Sequence, residues 1–156
     1  MAVIDVVVFE ISKTLYALDI NLAREIVEMM PITPVPRAPS HIAGIINLRG
    51  EITNIINLNR ILNLPENEDI ESQKIIVLVP EATGGSNIGI IVDNVHSVIQ
   101  VDEDRIDPMD NAISKEAYVK GIIKEKSDIA EGEGKTDLII WIDLSLILAD
   151  LYEERT

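Results

Sequence analysis

The residues able to do chemistry in this 156-residue chain are few and scattered. It has two His and no Cys, so thiol catalysis, disulfides and a thiolate zinc site are excluded. His41 follows Pro39-Ser40, and His96 closes the run Asp93-Asn94-Val95-His96. Residues three apart on a regular strand point to opposite faces, so Asp93 and His96 do not form a chelating pair. Asp102-Glu103-Asp104-Arg105-Ile106-Asp107 has the acid density of a calcium loop. An EF-hand needs Gly at the centre of that loop and Glu at its end; Asp107 takes the place of the Gly and the closing Glu is missing. Gly132-Glu133-Gly134-Lys135-Thr136 faintly resembles a phosphate loop, but a single residue separates the glycines and Glu133 would repel the anion. Ser12, Ser40 and Ser145 lack the setting of a nucleophile elbow. The reading is therefore no catalytic residue, no metal ligand set and no cofactor.

The elements that would position any site are mostly strands. Val3–Ile11 is β-branched and ends at Ser12-Lys13-Thr14, which predicts a hairpin with a three-residue turn into Leu15-Tyr16-Ala17-Leu18. Arg24–Met29 reads as a strand because prolines follow at once. Pro31, Pro34, Pro36 and Pro39 each fix their own φ and extend the residue before them, giving an ordered loop. Ile42–Leu48 and Ile52–Ile56 flank Arg49-Gly50-Glu51, where Gly50 can take positive φ in a tight hairpin. Leu58–Leu64 carries apolar residues at helical spacing, enough for a turn or two. Lys74–Val79 and Ile88–Val92 form another hairpin across Gly84-Gly85-Ser86-Asn87, and Asn94–Val101 and Tyr118–Lys126 are weaker strands. Leu138-Ile139-Ile140-Trp141-Ile142 predicts a strand buried on both faces. Asp143 then caps a C-terminal helix whose apolar face is Leu144, Ile147, Leu148 and Leu151. Near ten short strands with little helix define the all-β class. No repeat or flexible linker divides residues 1–156, which read as a single domain.

Composition narrows the function further. Hydrophobic residues make up 47% of the chain, enough for a real core, with Ile favoured and aromatics only 3%. Acids outnumber bases 27 to 13, and a formal charge of −14 argues against nucleic acid as a partner. No targeting segment and no apolar run of membrane-spanning length is present, so a soluble, cytoplasmic protein without direct membrane insertion is expected. What stands out is Ala43–Ile52, with Arg49 at a turn, together with Glu25 in Arg24-Glu25-Ile26-Val27. Such groups suit docking better than catalysis, because the planar Arg fork can be desolvated and still bond well.

The ordered set of motifs resembles the CheW family of chemotaxis coupling proteins. Carrying residues are Asp19-Ile20, Glu25-Ile26, Ile32-Thr33-Pro34-Val35-Pro36, Pro39 and Gly44-Ile45-Ile46-Asn47-Leu48-Arg49-Gly50. Gly89–Val95, Val98, Tyr118-Val119-Lys120-Gly121 and Leu138–Leu148 continue the match, in order, from about Val3 to Leu151. The resemblance implies two five-stranded, SH3-like β-barrel lobes packed into one domain. It also implies a non-catalytic adaptor that joins chemoreceptor cytoplasmic tips to the regulatory domain of a CheA-type histidine kinase, recruited to membrane receptor arrays. Carried over residue by residue, Glu25, Gly44 and Arg49 fall at partner-binding positions, with Ala23 and Val98 as apolar contacts. Asp93 reads as a structural carboxylate, and Tyr118 and Trp141 as core aromatics.

Some positions depart from the family pattern. Asn54 and Asn57 stand where Pro and Asp are frequent. Asp107 occupies a position that is often basic, and Ala112 aligns near one that is often aromatic; the resemblance implies that both belong to a second kinase contact. The loop Ser127–Thr136 is longer than usual. Two other functions stand as alternatives: an adaptor for a CheA-like pathway with another output, and a small-molecule-binding β-barrel. Five aromatics in total give the latter few stacking surfaces.

Overall fold

The structure, a computed structural model, describes residues 3–65, 69–108, 118–126 and 136–153. Eleven strands alternate with short turns among the described residues: β1 (Val3–Ile11), β2 (Thr14–Asp19), β3 (Ala23–Glu28), β4 (Ile42–Leu48), β5 (Glu51–Asn57), β6 (Lys74–Leu78), β7 (Ile88–Val92), β8 (Asn94–Asp102), β9 (Ile106–Asp107), β10 (Val119–Lys126) and β11 (Thr136–Ile142). Among the described residues, two helices, α1 (Leu58–Ile61) and α2 (Leu144–Glu153), and short 3-10 turns make up the remaining regular structure. The chain is mostly β, as its β-branched runs require.

Two compact units result. One comprises the first strand to Phe9, Lys13–Ile20 and the chain from His96 onward; the other comprises Glu10–Ser12 and Asn21–Val95. A six-stranded sheet runs in the order β8-β1-β2-β11-β10-β9, and a five-stranded one in the order β3-β6-β7-β5-β4. The sixth strand of the larger sheet is only the two residues of β9.

Each unit fills its interior with small aliphatics. Ile46, Ile55, Ile75, Val77 and Ile91 form the core of the second unit, all of them β-branched. Val6, Val8, Leu15, Ala17, Val101, Ile123 and Ile139 form that of the first. Stiff branched side chains pack well on the pleated inner face of a curled sheet, which is why so few aromatics suffice. Phe9 and Tyr16 stack at 5.9 Å between ring centroids, and burial pushes the Tyr16 phenol above its usual pKa.

Local chemistry set two boundaries differently from expectation. The β1–β2 turn is two residues long, with φ of +51° at Ser12 and +68° at Lys13. Paired positive φ values match the twist of the flanking strands, and the Asp93 carboxylate takes the Ser12 N–H at 2.8 Å, holding the tight form in place. β11 is not buried on both faces, because Leu138 is 60% exposed. Its parallel pairing with β2 begins only at Ile139 opposite Leu15, so Leu138 precedes that ladder and Ile139 and Ile142 carry the burial.

The expected caps are present. Asp143 accepts the Leu146 N–H at 3.0 Å and starts α2, which buries Leu144, Ile147 and Leu148 and half-buries Leu151. Asp93 is structural: besides Ser12 it accepts from Gln73 Nε2 at 3.1 Å. Ala112, the Gly132–Lys135 glycines and residues 127–135 of the long loop lie outside the described residues.

Candidate functional site

The most exposed organised chemistry of the second unit lies where the two ends of its sheet meet. β3 and β4 are the terminal strands of the five-stranded order and share no backbone ladder there. Arg49 heads the β4–β5 turn at φ +51°, followed by Gly50 at +85°, and Asn47 Oδ1 accepts the Gly50 N–H at 3.0 Å. This two-residue turn aims the guanidinium back across the seam, where its Nη2 donates to Glu25 Oε1 on β3. The pair remains accessible, with Arg49 59% and Glu25 25% exposed along their side chains. A second, looser pair runs the same way, Arg24 to Glu51 at 3.7 Å. The sheet therefore curls until ion pairs span its two ends.

Gly44 lies on β4 behind this seam, at φ +150° and next to the irregularity between Ile42 and Gly44. A Cβ there would meet the Thr33 carbonyl oxygen at 2.3 Å and Ile32 Cγ2 at 2.6 Å. Only glycine lets the proline-rich segment lie this close, where Thr33 and Ile45 exchange N–H···O bonds of 2.9 Å each way. Ala23 opens β3 opposite Leu78, half-buried, next to a register irregularity that precedes Glu25. Sequence reasoning picked Glu25 and Arg49 separately; it missed that they bond each other. Opposite charge was the available signal, but strand periodicity says nothing of contacts between strands that are not neighbours.

The other candidates belong to the first unit. Val98 is 56% exposed on β8, a terminal strand of the six-stranded order. Asp107 closes β9 and pairs with Lys124 Nζ at 2.5 Å, while Arg105 reaches Glu125 at 3.5 Å. Trp141 packs against the core of the first unit without being fully buried. It is half-buried, its indole N–H donates to Asp19 Oδ1 at 2.6 Å, and Lys120 Nζ sits 4.8 Å from its ring centre while pairing with Asp19 at 3.5 Å. Tyr118 is half-buried at φ +58°. His96 is half-buried on β8, and among the described residues no three His, Cys, Asp or Glu side chains gather as a metal site would require. No described helix is long and apolar enough to cross a membrane.

Two Ile- and Val-filled sheets, with charged pairs and isolated apolar side chains on their surfaces, make a protein-docking module. The family model of the CheW-like domain matches residues 5–151. The chain is 29% identical over 147 residues to the chemotaxis protein CheW of Thermotoga maritima, covering 94% of this chain and 89% of that one. It is 32% identical over 123 residues to CheW of Bacillus subtilis, covering 78% and 77%. The crystal structure of the scaffolding protein TtCheW from Thermoanaerobacter tengcongensis superposes with a TM-score of 0.74 at 34% identity, covering 92% of this chain and 86% of that one. The chain belongs to the CheW family of chemotaxis coupling adaptors, a family of scaffolds and not of catalysts.

Proposed function

We propose that residues 1–156 act as one CheW-like domain that joins a chemoreceptor cytoplasmic tip to the regulatory domain of a CheA-type histidine kinase. Recruitment to membrane receptor arrays follows from that role. The observation that carries the reading is the Arg49–Glu25 pair, exposed on a seam that no backbone ladder closes. An accessible guanidinium already oriented by one carboxylate can take a carboxylate or carbonyl from a partner with its remaining donors. On this reading Gly44 shapes the surface, and Ala23 and Val98 supply apolar contact. Asp107 and Ala112 mark a second kinase contact. At Asp107 the charge is already matched by Lys124, so that contact is weaker than the first.

Calorimetric titration against the organism's own CheA regulatory domain and receptor cytoplasmic fragment tests this. Wild type should bind at micromolar affinity or tighter, and Arg49→Ala should weaken one of the two complexes by roughly tenfold or more with little change in Tm. Glu25→Lys should give a loss of the same kind. Unchanged affinity in both variants would remove the pair from the partner surface, and a Tm many degrees lower would make it structural.

A further inference from the structure

The segment between β3 and β4 is tied down on both sides of the exposed turn Val35–Ala38. Thr33 is bonded to Ile45 on one side; on the other, Ile42 N–H donates to the Pro39 carbonyl at 3.0 Å, Arg60 Nη1 to the Ser40 carbonyl at 2.6 Å and Asn57 N–H to the His41 carbonyl at 2.8 Å. Between these anchors Val35-Pro36-Arg37-Ala38 closes on itself through Ala38 N–H to the Val35 carbonyl at 3.3 Å. Pro36 supplies the fixed φ of the second position, and Arg37 takes φ +63° at the third, where such a turn favours glycine. An arginine is held there against its backbone preference.

Among the described residues its side chain has no internal partner. Arg24, Arg49 and Arg105 each pair with a glutamate, and Arg60 bonds a carbonyl. Arg37 is exposed and has neither a carboxylate nor a hydrogen-bond acceptor among the described residues, in a chain with 27 acids to 13 bases. Beside it Val35 is 40% exposed. A fixed turn that offers one bare guanidinium and one bare isopropyl group is pre-organised for a partner, because little freedom remains to be lost on binding.

We propose that the Val35–Ala38 turn is a contact element for a partner protein, with Arg37 bonding a partner carboxylate and Val35 packing on an apolar side chain beside it. A single valine on a turn cannot enclose a small molecule, and the −14 charge repels nucleic acid. The proposal rests on the adaptor reading and explains Gly44 within it. Glycine has no side chain to give a partner, and its close approach to Thr33 seats the segment that presents the turn.

The test is calorimetric titration of the full chain, as wild type, Arg37→Gly, Arg37→Ala and Arg37→Glu, against the kinase regulatory domain and the receptor cytoplasmic fragment. Arg37→Gly removes the charge but suits the positive φ, so Tm should hold or rise. Its affinity for one of the two partners should fall by roughly fivefold or more, Arg37→Glu should fall further, and the salt dependence of binding should flatten. Wild-type affinity of Arg37→Gly for both partners would overturn the proposal. So would a loss in Arg37→Ala that Arg37→Gly restores, because the effect would then be conformational. Wild type that binds neither partner would overturn the adaptor reading and this proposal together.

Discussion

The two units place their surface charges differently on their sheets. In the five-stranded unit the terminal strands β3 and β4 are spanned by side chains, Arg49 to Glu25 and Arg24 to Glu51. In the six-stranded unit the corresponding charges lie along strands that are already laddered. Lys124 and Asp107 sit on the paired strands β10 and β9, and Asp19 and Lys120 flank Trp141 on the β11 between them. Charges on a ladder add little to what backbone hydrogen bonds already hold. Charges at an open seam stay available to a second protein, and that is where the candidate site concentrates.

Paired substitutions can break this comparison, and glycine gives the largest effect. Gly44→Ala drives a Cβ into a backbone carbonyl at positive φ and should cost about 3 kcal/mol, a fall in Tm on the order of 10 °C. Gly121→Ala, on β10, meets the Ile106 Cγ2 at 2.6 Å and the Asp107 carbonyl oxygen only at 3.2 Å, both on a two-residue edge strand, and should cost only about 1 kcal/mol. Equal losses in urea unfolding would mean that the two units pack their edges alike.

The half-buried carboxylates Asp93 and Asp143 give the next contrast. Asp93→Ala leaves the Ser12 N–H and the buried Gln73 amide without their acceptor and should cost about 2 kcal/mol, while Asp143→Ala removes one helix cap and should cost about 1 kcal/mol. A reversed order would place the weaker hold in the five-stranded unit.

Smallest are the ion pairs themselves. A double-mutant cycle on Arg49 and Glu25 should give a coupling of about 0.5–1 kcal/mol, and one on Lys124 and Asp107 about 0–0.5 kcal/mol. A larger coupling on the ladder than at the seam would remove the distinction drawn between them.

Much of the fold is legible along the chain, because β-branched runs and turn residues act locally. Ile42–Leu48, Arg49-Gly50 and Ile52–Ile56 announce a hairpin, and Asp143 announces the helix after it. The site is legible only as separate residues. Nothing in local periodicity says that a turn arginine on one end of a sheet will reach a glutamate on the other, because that contact depends on how far the whole sheet curls. The same blindness explains Leu138, whose exposure follows from where a parallel partner strand begins, and Trp141, whose neighbours Asp19 and Lys120 come from distant segments. Arg37 is a third case: its backbone angle, and the lack of a carboxylate beside it among the described residues, are visible only in three dimensions.

The parallel pairing of β2 with β11 bears on how the chain is made. Asp19 waits for the Trp141 indole across 122 positions of sequence, whereas the five-stranded sheet draws all its strands from Ala23–Val92. On the ribosome the second unit can complete its ladders while the first still lacks β8 to β11. Until those arrive, the Val6–Phe9 stretch of an unfinished sheet stays open to water, and contacts of such long sequence separation form slowly. Nascent chains stalled after β7 should therefore protect Ile75–Leu78 from hydrogen exchange while Val6–Val8 still exchange fast.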